Sequence, residues 1–192
     1  MTTDNRYTSI AIALHWLIAI LLVSMVFFGW YMDGLRDAAL AGEGVSLAEV
    51  QAAYNAHKTT GLLVLALSIL RLVWRLTHRP PGLPAGMTGW EMTVAKATHF
   101  AFYALMIGMP LGGMIAASAS PFPSFLFNDP TLVIPKLPVP QTEDFADLIG
   151  AAHSAGGWAI LGLTALHAAA AIKHQFIDKD GLLVRMLPFL KG

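Results

Sequence analysis

The 192-residue chain contains no cysteine, which excludes disulfides, thiolate nucleophiles, cysteine-held iron–sulfur clusters and thioether-attached cofactors. Charge is scarce too. Asp, Glu, Lys and Arg together make 12% of the residues, against about 25% in a typical soluble domain. The formal net charge is zero and no basic face stands out, so nucleic acid is not an expected partner. Gly-rich phosphate loops are missing, which argues against a built-in nicotinamide or flavin site. Zinc is a competing use of histidine, but the His-x-x-x-His pattern is missing and no carboxylate lies deep in an apolar run.

What remains is hydrophobic. Apolar residues make 56% of the chain and the mean hydropathy is +0.60, the composition of a polytopic membrane protein whose main partner is lipid. Tyr7–Met32 carries no charge and is long enough to cross a hydrocarbon core of about 30 Å. It is too long for a signal-peptide core and lacks a basic flank with a cleavage site, so a retained span is expected. Ser46-x-x-Glu49 reads as a capping box opening a second helix to Leu76, its first third projecting from the membrane. A Pro/Gly-rich linker, His78–Met87, follows.

Thr88-x-x-Glu91 opens a third helix to Ala119, with Pro110 as its expected kink and Gly108, Gly112 and Gly113 leaving room for close packing or a bulky ligand. Pro121–Gln141 reads as an ordered, irregular connection. Thr142, with Glu143 and Asp144 behind it, suits the cap of a fourth helix running to Gln175. The tail carries a short amphipathic piece ending at Pro188. The expected fold is an all-α four-transmembrane-helix bundle, one integral-membrane domain over 1–192, with helices at about 8–32, 47–76, 89–119 and 143–175 and no internal repeat. Basic residues set its orientation. With both termini cytoplasmic, the inner segments hold Arg6, Arg71, Arg75, Arg79, Lys96, Lys173, Lys179, Arg185 and Lys191, and the outer ones only Arg36, Lys58 and Lys136.

Histidines in such spans are costly and normally paired. His153 and His167 share the fourth helix; their interval corresponds to roughly 21 Å of rise, with the two rings within about 40° of one another. Sorting by depth gives two pairs, His15 with His167 toward the cytoplasm and His57 with His153 toward the outside. Two imidazoles at each of two depths suit two stacked haems, with no axial position left for oxygen chemistry. An interhelical hydrogen bond or a wet cavity is the plainer use of any single one of these rings. His99 is the reserve for His15 on the inner side.

Gly61, Gly156 and Gly157, each about one turn from a histidine, can make space beside a macrocycle or serve ordinary packing. Arg71 and Arg75 are candidate contacts for haem propionates, or simple positive-inside anchors. His174, at the membrane surface, is a candidate quinone or proton contact together with Arg79. His78 in the linker carries no assignment.

The segments IALHWLIAILL, AHKTTGLLVLALSILRLVWRL, ATHFAFYALMIGMPLGG and HSAGGWAILGLTALHAAAAIKHQFIDKDGLLVRMLP resemble the bacterial cytochrome b561 family across nearly the whole chain. The specific elements are His15–Trp16, Arg71-x-x-x-Arg75 and the two histidines of the fourth helix; the Pro-rich loop is least alike. The resemblance implies an inner-membrane protein with two b-type haems, held by His15 and His167 on the cytoplasmic side and by His57 and His153 on the periplasmic side. It also implies superoxide:ubiquinone oxidoreductase activity or quinone-linked electron carriage to a periplasmic redox partner; fold alone does not separate these. For superoxide, Lys58 and Arg36 are the candidate local attractors. A non-redox transporter or assembly protein using histidines for protons or metal is the third class.

Overall fold

The computed structural model describes residues 6–84 and 86–187; Lys191 and Pro188, invoked above, lie outside them. Four long helices follow in order: α1 (Ser9–Leu40), α2 (Leu47–Thr77), α3 (Gly89–Ala119) and α4 (Glu143–Phe176). All four are long and apolar enough to cross a membrane. Among the described residues the only β pairing is an isolated bridge, Phe125 with Val133.

Local chemistry sets the helix ends. The Thr8 hydroxyl accepts from the Ala11 N–H to start α1. At α2 the capping box forms in both directions: Glu49 N–H donates to Ser46 Oγ, and Ser46 N–H donates to Glu49 Oε2. Glu91 likewise reaches back to Thr88 N–H at α3. Thr142 occupies the N-cap of α4 but makes no side-chain cap bond; the acidic first turn, Glu143 and Asp144, is as expected.

α1 runs eight residues past the expected Met32, to Leu40. Hydropathy locates the part of a helix that belongs in lipid, whereas the helix stops only where the backbone turns. Asp33 and Arg36 pair along its projecting end. Termination comes at Gly42 (φ 74°), where Glu43 N–H donates to Ala38 O. α3 continues as helix through Pro110.

The helices pack in a closed ring, α1 on α2, α2 on α3, α3 on α4 and α4 on α1. The bundle is inside-out by soluble standards. Ile20, Phe27, Leu63, Phe100 and Leu166 point outward, as suits a surface whose solvent is lipid. Its enclosed centre is small: Leu14, Ile18 and Leu22 at one-turn spacing on α1, with Val64, Met106 and Ile160 from the other helices. Ile160 lies midway between His153 and His167 on α4, so this dry cluster separates two histidine levels.

The 121–141 connection is ordered by a polar patch on α2. Asn55, with no exposed surface, donates to Asn128 Oδ1 and accepts from Phe125 N–H. Thr59 Oγ1 accepts from Phe127 N–H. Beyond α4 the chain doubles back across the opposite end, where Trp16 Nε1–H donates to Met186 O and Arg185 donates to Gly82 O.

Candidate functional site

Near the end of the bundle covered by the 121–141 connection, α2 carries His57 and α4 carries His153, with ring centres 6.2 Å apart and planes at 72°. Toward the other end, α1 carries His15 and α4 carries His167, with centres 6.3 Å apart and planes at 66°. A metal–imidazole bond of about 2.0 Å on each side of one metal puts trans ring centres about 6.2 Å apart. Both pairs have that spacing without touching each other directly.

The surroundings of the first pair fit a planar cofactor. Both rings line a cavity of about 570 Å³ walled by apolar side chains that include Leu22, Val26, Met109 and Ile160. Nδ1 of His57 and of His153 is enclosed without a hydrogen-bond partner, an expensive state that only a partner on that nitrogen, a metal included, relieves. Glycines let the rings sit where they do. A Cβ on Gly113 would stand 3.1 Å from His153 Cε1, and one on Gly29 would stand 3.5 Å from His57 Cε1. Gly156 accommodates Met109, Gly157 faces Val26 and Gly61 faces Met25. Gly61 and Gly157 also line the cavity, Gly156 is filled by Met109, and Gly29, Gly112 and Gly113 are the ones against the rings.

At the second pair His167 faces two rings. His99 is 5.7 Å from it and His15 is 6.3 Å from it, centre to centre; the His15 distance is the closer match to a shared metal. Arg71 donates to Ala11 O at 2.9 Å and lies 3.3 Å from His15 Nδ1. A guanidinium has donors only, so Nδ1 accepts and the His15 proton sits on Nε2. Coordination through Nε2 requires the other tautomer, and Arg71 must then find another acceptor. Arg75 lies over the Tyr103 ring at 6.0 Å. Arg71, Arg75 and Arg79 all line a small cavity of about 50 Å³ between α1, α2 and α3.

His174 is not the free interfacial side chain its position suggested. It is 8% exposed, with Nδ1 2.7 Å from Asp180 Oδ2 and 3.1 Å from Asp178 Oδ2. Lys173 joins Asp178 to Glu91, tying the tail to α3. No contact links His174 to Arg79 among the described residues. His78 stacks on Trp74 with centres 3.8 Å apart.

Arg36 is paired with Asp37 at 3.1 Å and with Asp33 at 3.9 Å, so little of its charge is free to attract an anion. Lys58 has no carboxylate partner among the described residues; it donates to the buried Ser124 Oγ at 2.7 Å. Sequence reasoning gave no place in a site to Gly29, Ser124, Lys136 or Asp180. Asp180, in the Asp-x-Asp-Gly run after α4, was the most accessible of them, because acids just past a helix end near a histidine are natural partners for it.

These features define a class: a four-span helical membrane protein that presents paired imidazoles at two depths. The chain belongs to the prokaryotic cytochrome b561 family, whose model matches residues 6–189. It is 31% identical to cytochrome b561 homolog 2 of Escherichia coli over 96% of this chain and 93% of that one. Cytochrome b561 homolog 1 of the same organism is 29% identical over 96% and 98%. The probable superoxide oxidase CybB of Yersinia pestis is 24% identical over 98% and 99%. The chain is accordingly a multi-pass bacterial inner-membrane protein of electron transfer that binds b-type haem.

Proposed function

We propose that the protein carries electrons across the inner membrane from superoxide on the periplasmic side to ubiquinone on the cytoplasmic side, using two haem b groups. Two superoxide ions each give up one electron and leave as dioxygen; the two electrons, with two protons, convert one ubiquinone to ubiquinol. Bound haem would supply a centre that gains and loses one electron at a time.

His57 and His153 would hold the haem of the periplasmic site, and His15 and His167 that of the cytoplasmic site. The observation that carries this assignment is the repeated ring-centre spacing, 6.2 Å and 6.3 Å, at two levels of one bundle. His99 is the residue that would replace His15 if the inner pairing is wrong. The Leu14, Ile18, Leu22, Met106 and Ile160 layer excludes water between the levels. On this reading Arg71, beside His15, would hold a propionate, and Arg75 stands one turn further on for the same use. His174 is the proton contact for the quinone, its Nδ1–H held by Asp180 so that Nε2 is free to accept or deliver a proton. Arg79 lines the cavity of Arg71 and Arg75, to which His174 does not belong, so the quinone assignment rests on His174.

The superoxide donor is supported by similarity to a relative carrying the name probable superoxide oxidase. Both termini are assigned to the cytoplasm on the distribution of basic residues. The test is anaerobic spectroscopy of the purified protein with pulsed superoxide and, separately, with a quinol. Superoxide should reduce the haems faster than it disappears spontaneously, and added ubiquinone should reoxidise them. Haems that superoxide leaves oxidised, but that quinol reduces and a periplasmic redox protein reoxidises, would overturn the donor and favour a quinol-linked carrier.

A further inference from the structure

The cavity that holds His57 and His153 does not stop at the imidazoles. It extends to Lys58 on α2 and to Lys136, Ser120 and Ser124 where the 121–141 connection closes over it. Lys58 Nζ donates to Ser124 Oγ at 2.7 Å and Lys136 Nζ donates to Ser120 O. Each ammonium has three N–H donors and uses one of them on protein among the described residues. The two cations line one cavity, and neither has a carboxylate within ion-pair distance among the described residues. Two acids do line the same cavity, Asp33 and Asp147. Asp33 is occupied by Arg36 and by the Tyr54 hydroxyl.

A half-buried lysine sharing a cavity with a second lysine, with spare donors and no carboxylate within ion-pair distance among the described residues, is unfavourable unless an anion completes it. Deeper in, beside the imidazoles, the walls are mainly apolar: Leu22, Val26, Val64, Met109 and Ile160. Its occupant must therefore be a large apolar body with negative charge at one edge, and haem b carries two carboxylates on one edge of an apolar macrocycle. We propose that Lys58 and Lys136, with Ser124 positioning Lys58, form the anion seat for the propionate edge of the haem held by His57 and His153. This rests on the reading of that histidine pair given above. It also assigns the 121–141 connection a task, since Lys136, Ser120 and Ser124 all come from it or its border.

The same two cations could seat a free small anion such as superoxide, so the test separates the sources. A His167→Ala background isolates the outer site. Membranes from haem-deficient cells carrying the full chain are titrated with haem and with haem dimethyl ester, whose carboxylates are masked, and the Soret band is followed. The wild-type lysines should bind haem about tenfold or more tightly than the ester. Lys58→Gln with Lys136→Gln should bind haem as weakly as the ester, with no remaining preference, and Lys58→Arg with Lys136→Arg should restore the preference.

With His167 intact, the glutamine pair should keep its inner haem, which shows that the fold survives. Equal binding of haem and ester by the wild-type lysines would overturn the proposal. So would a glutamine pair that keeps full haem preference while its reduction by superoxide slows, because the lysines would then seat the substrate. A wild-type outer site giving no Soret band with either compound would refute the histidine pair itself, and this proposal with it.

Discussion

At the residue scale the arrangement depends on what is missing beside each imidazole. Gly113 lets His153 stand where a Cβ would already be at 3.1 Å. Gly113→Val should displace the ring and cost about 1–3 kcal/mol of local packing, read as a tenfold or greater loss of outer-site haem with the inner haem retained. Equal loss of both haems would mean that the substitution unfolds the bundle instead.

Asp180 is the residue-scale partner of His174. Asp180→Asn keeps the shape but loses the carboxylate that holds the His174 ring through Nδ1. Quinone reduction should slow about tenfold, while haem content and the rate of haem reduction by superoxide stay as in the wild type. An unchanged rate of quinone reduction would remove His174 from the quinone contact.

At the element scale, α2 organises the end of the bundle under the 121–141 connection through one polar patch. Asn55 is fully enclosed and satisfies both Phe125 N–H and Asn128. Asn55→Ala orphans those partners, at a cost of about 1–3 kcal/mol. The connection over the outer cavity should then become the first site of proteolysis in right-side-out or detergent-solubilised protein, with the four spans intact. An unchanged digestion pattern would show that the loop is held by other contacts.

The elements themselves were legible. Ser46–Glu49 and Thr88–Glu91 announce helix starts because a capping box is a local device. The end of α1 was not, because Asp33 to Leu40 is helix without being lipid-exposed apolar chain. The conformation of the 121–141 connection was also hidden. It hangs on Asn55, Lys58 and Thr59, contacts some seventy residues apart in sequence.

At the scale of the whole molecule, one helix, α4, supplies a ring to each of two levels, and the opposing rings come from different helices: α2 at one level and α1 at the other. Helical rise and side-chain direction made those pairs readable from sequence. Direction in space did not follow so readily for His174, whose burial depends on a tail that turns back over it, nor for Arg79, which faces another cavity. His99 stayed ambiguous for a related reason, since α3 brings it within 5.7 Å of His167.

The assignment of four axial ligands is tested most directly by haem stoichiometry and redox-resolved spectra of single alanine variants at His15, His57, His99, His153 and His167. Variants at His15 and His167 should each lose the same one haem, and variants at His57 and His153 the other. The His99 variant should keep both. Loss of the inner haem in His99→Ala, with His15→Ala retaining it, would contradict the inner pair; two haems surviving His153→Ala would contradict the outer one.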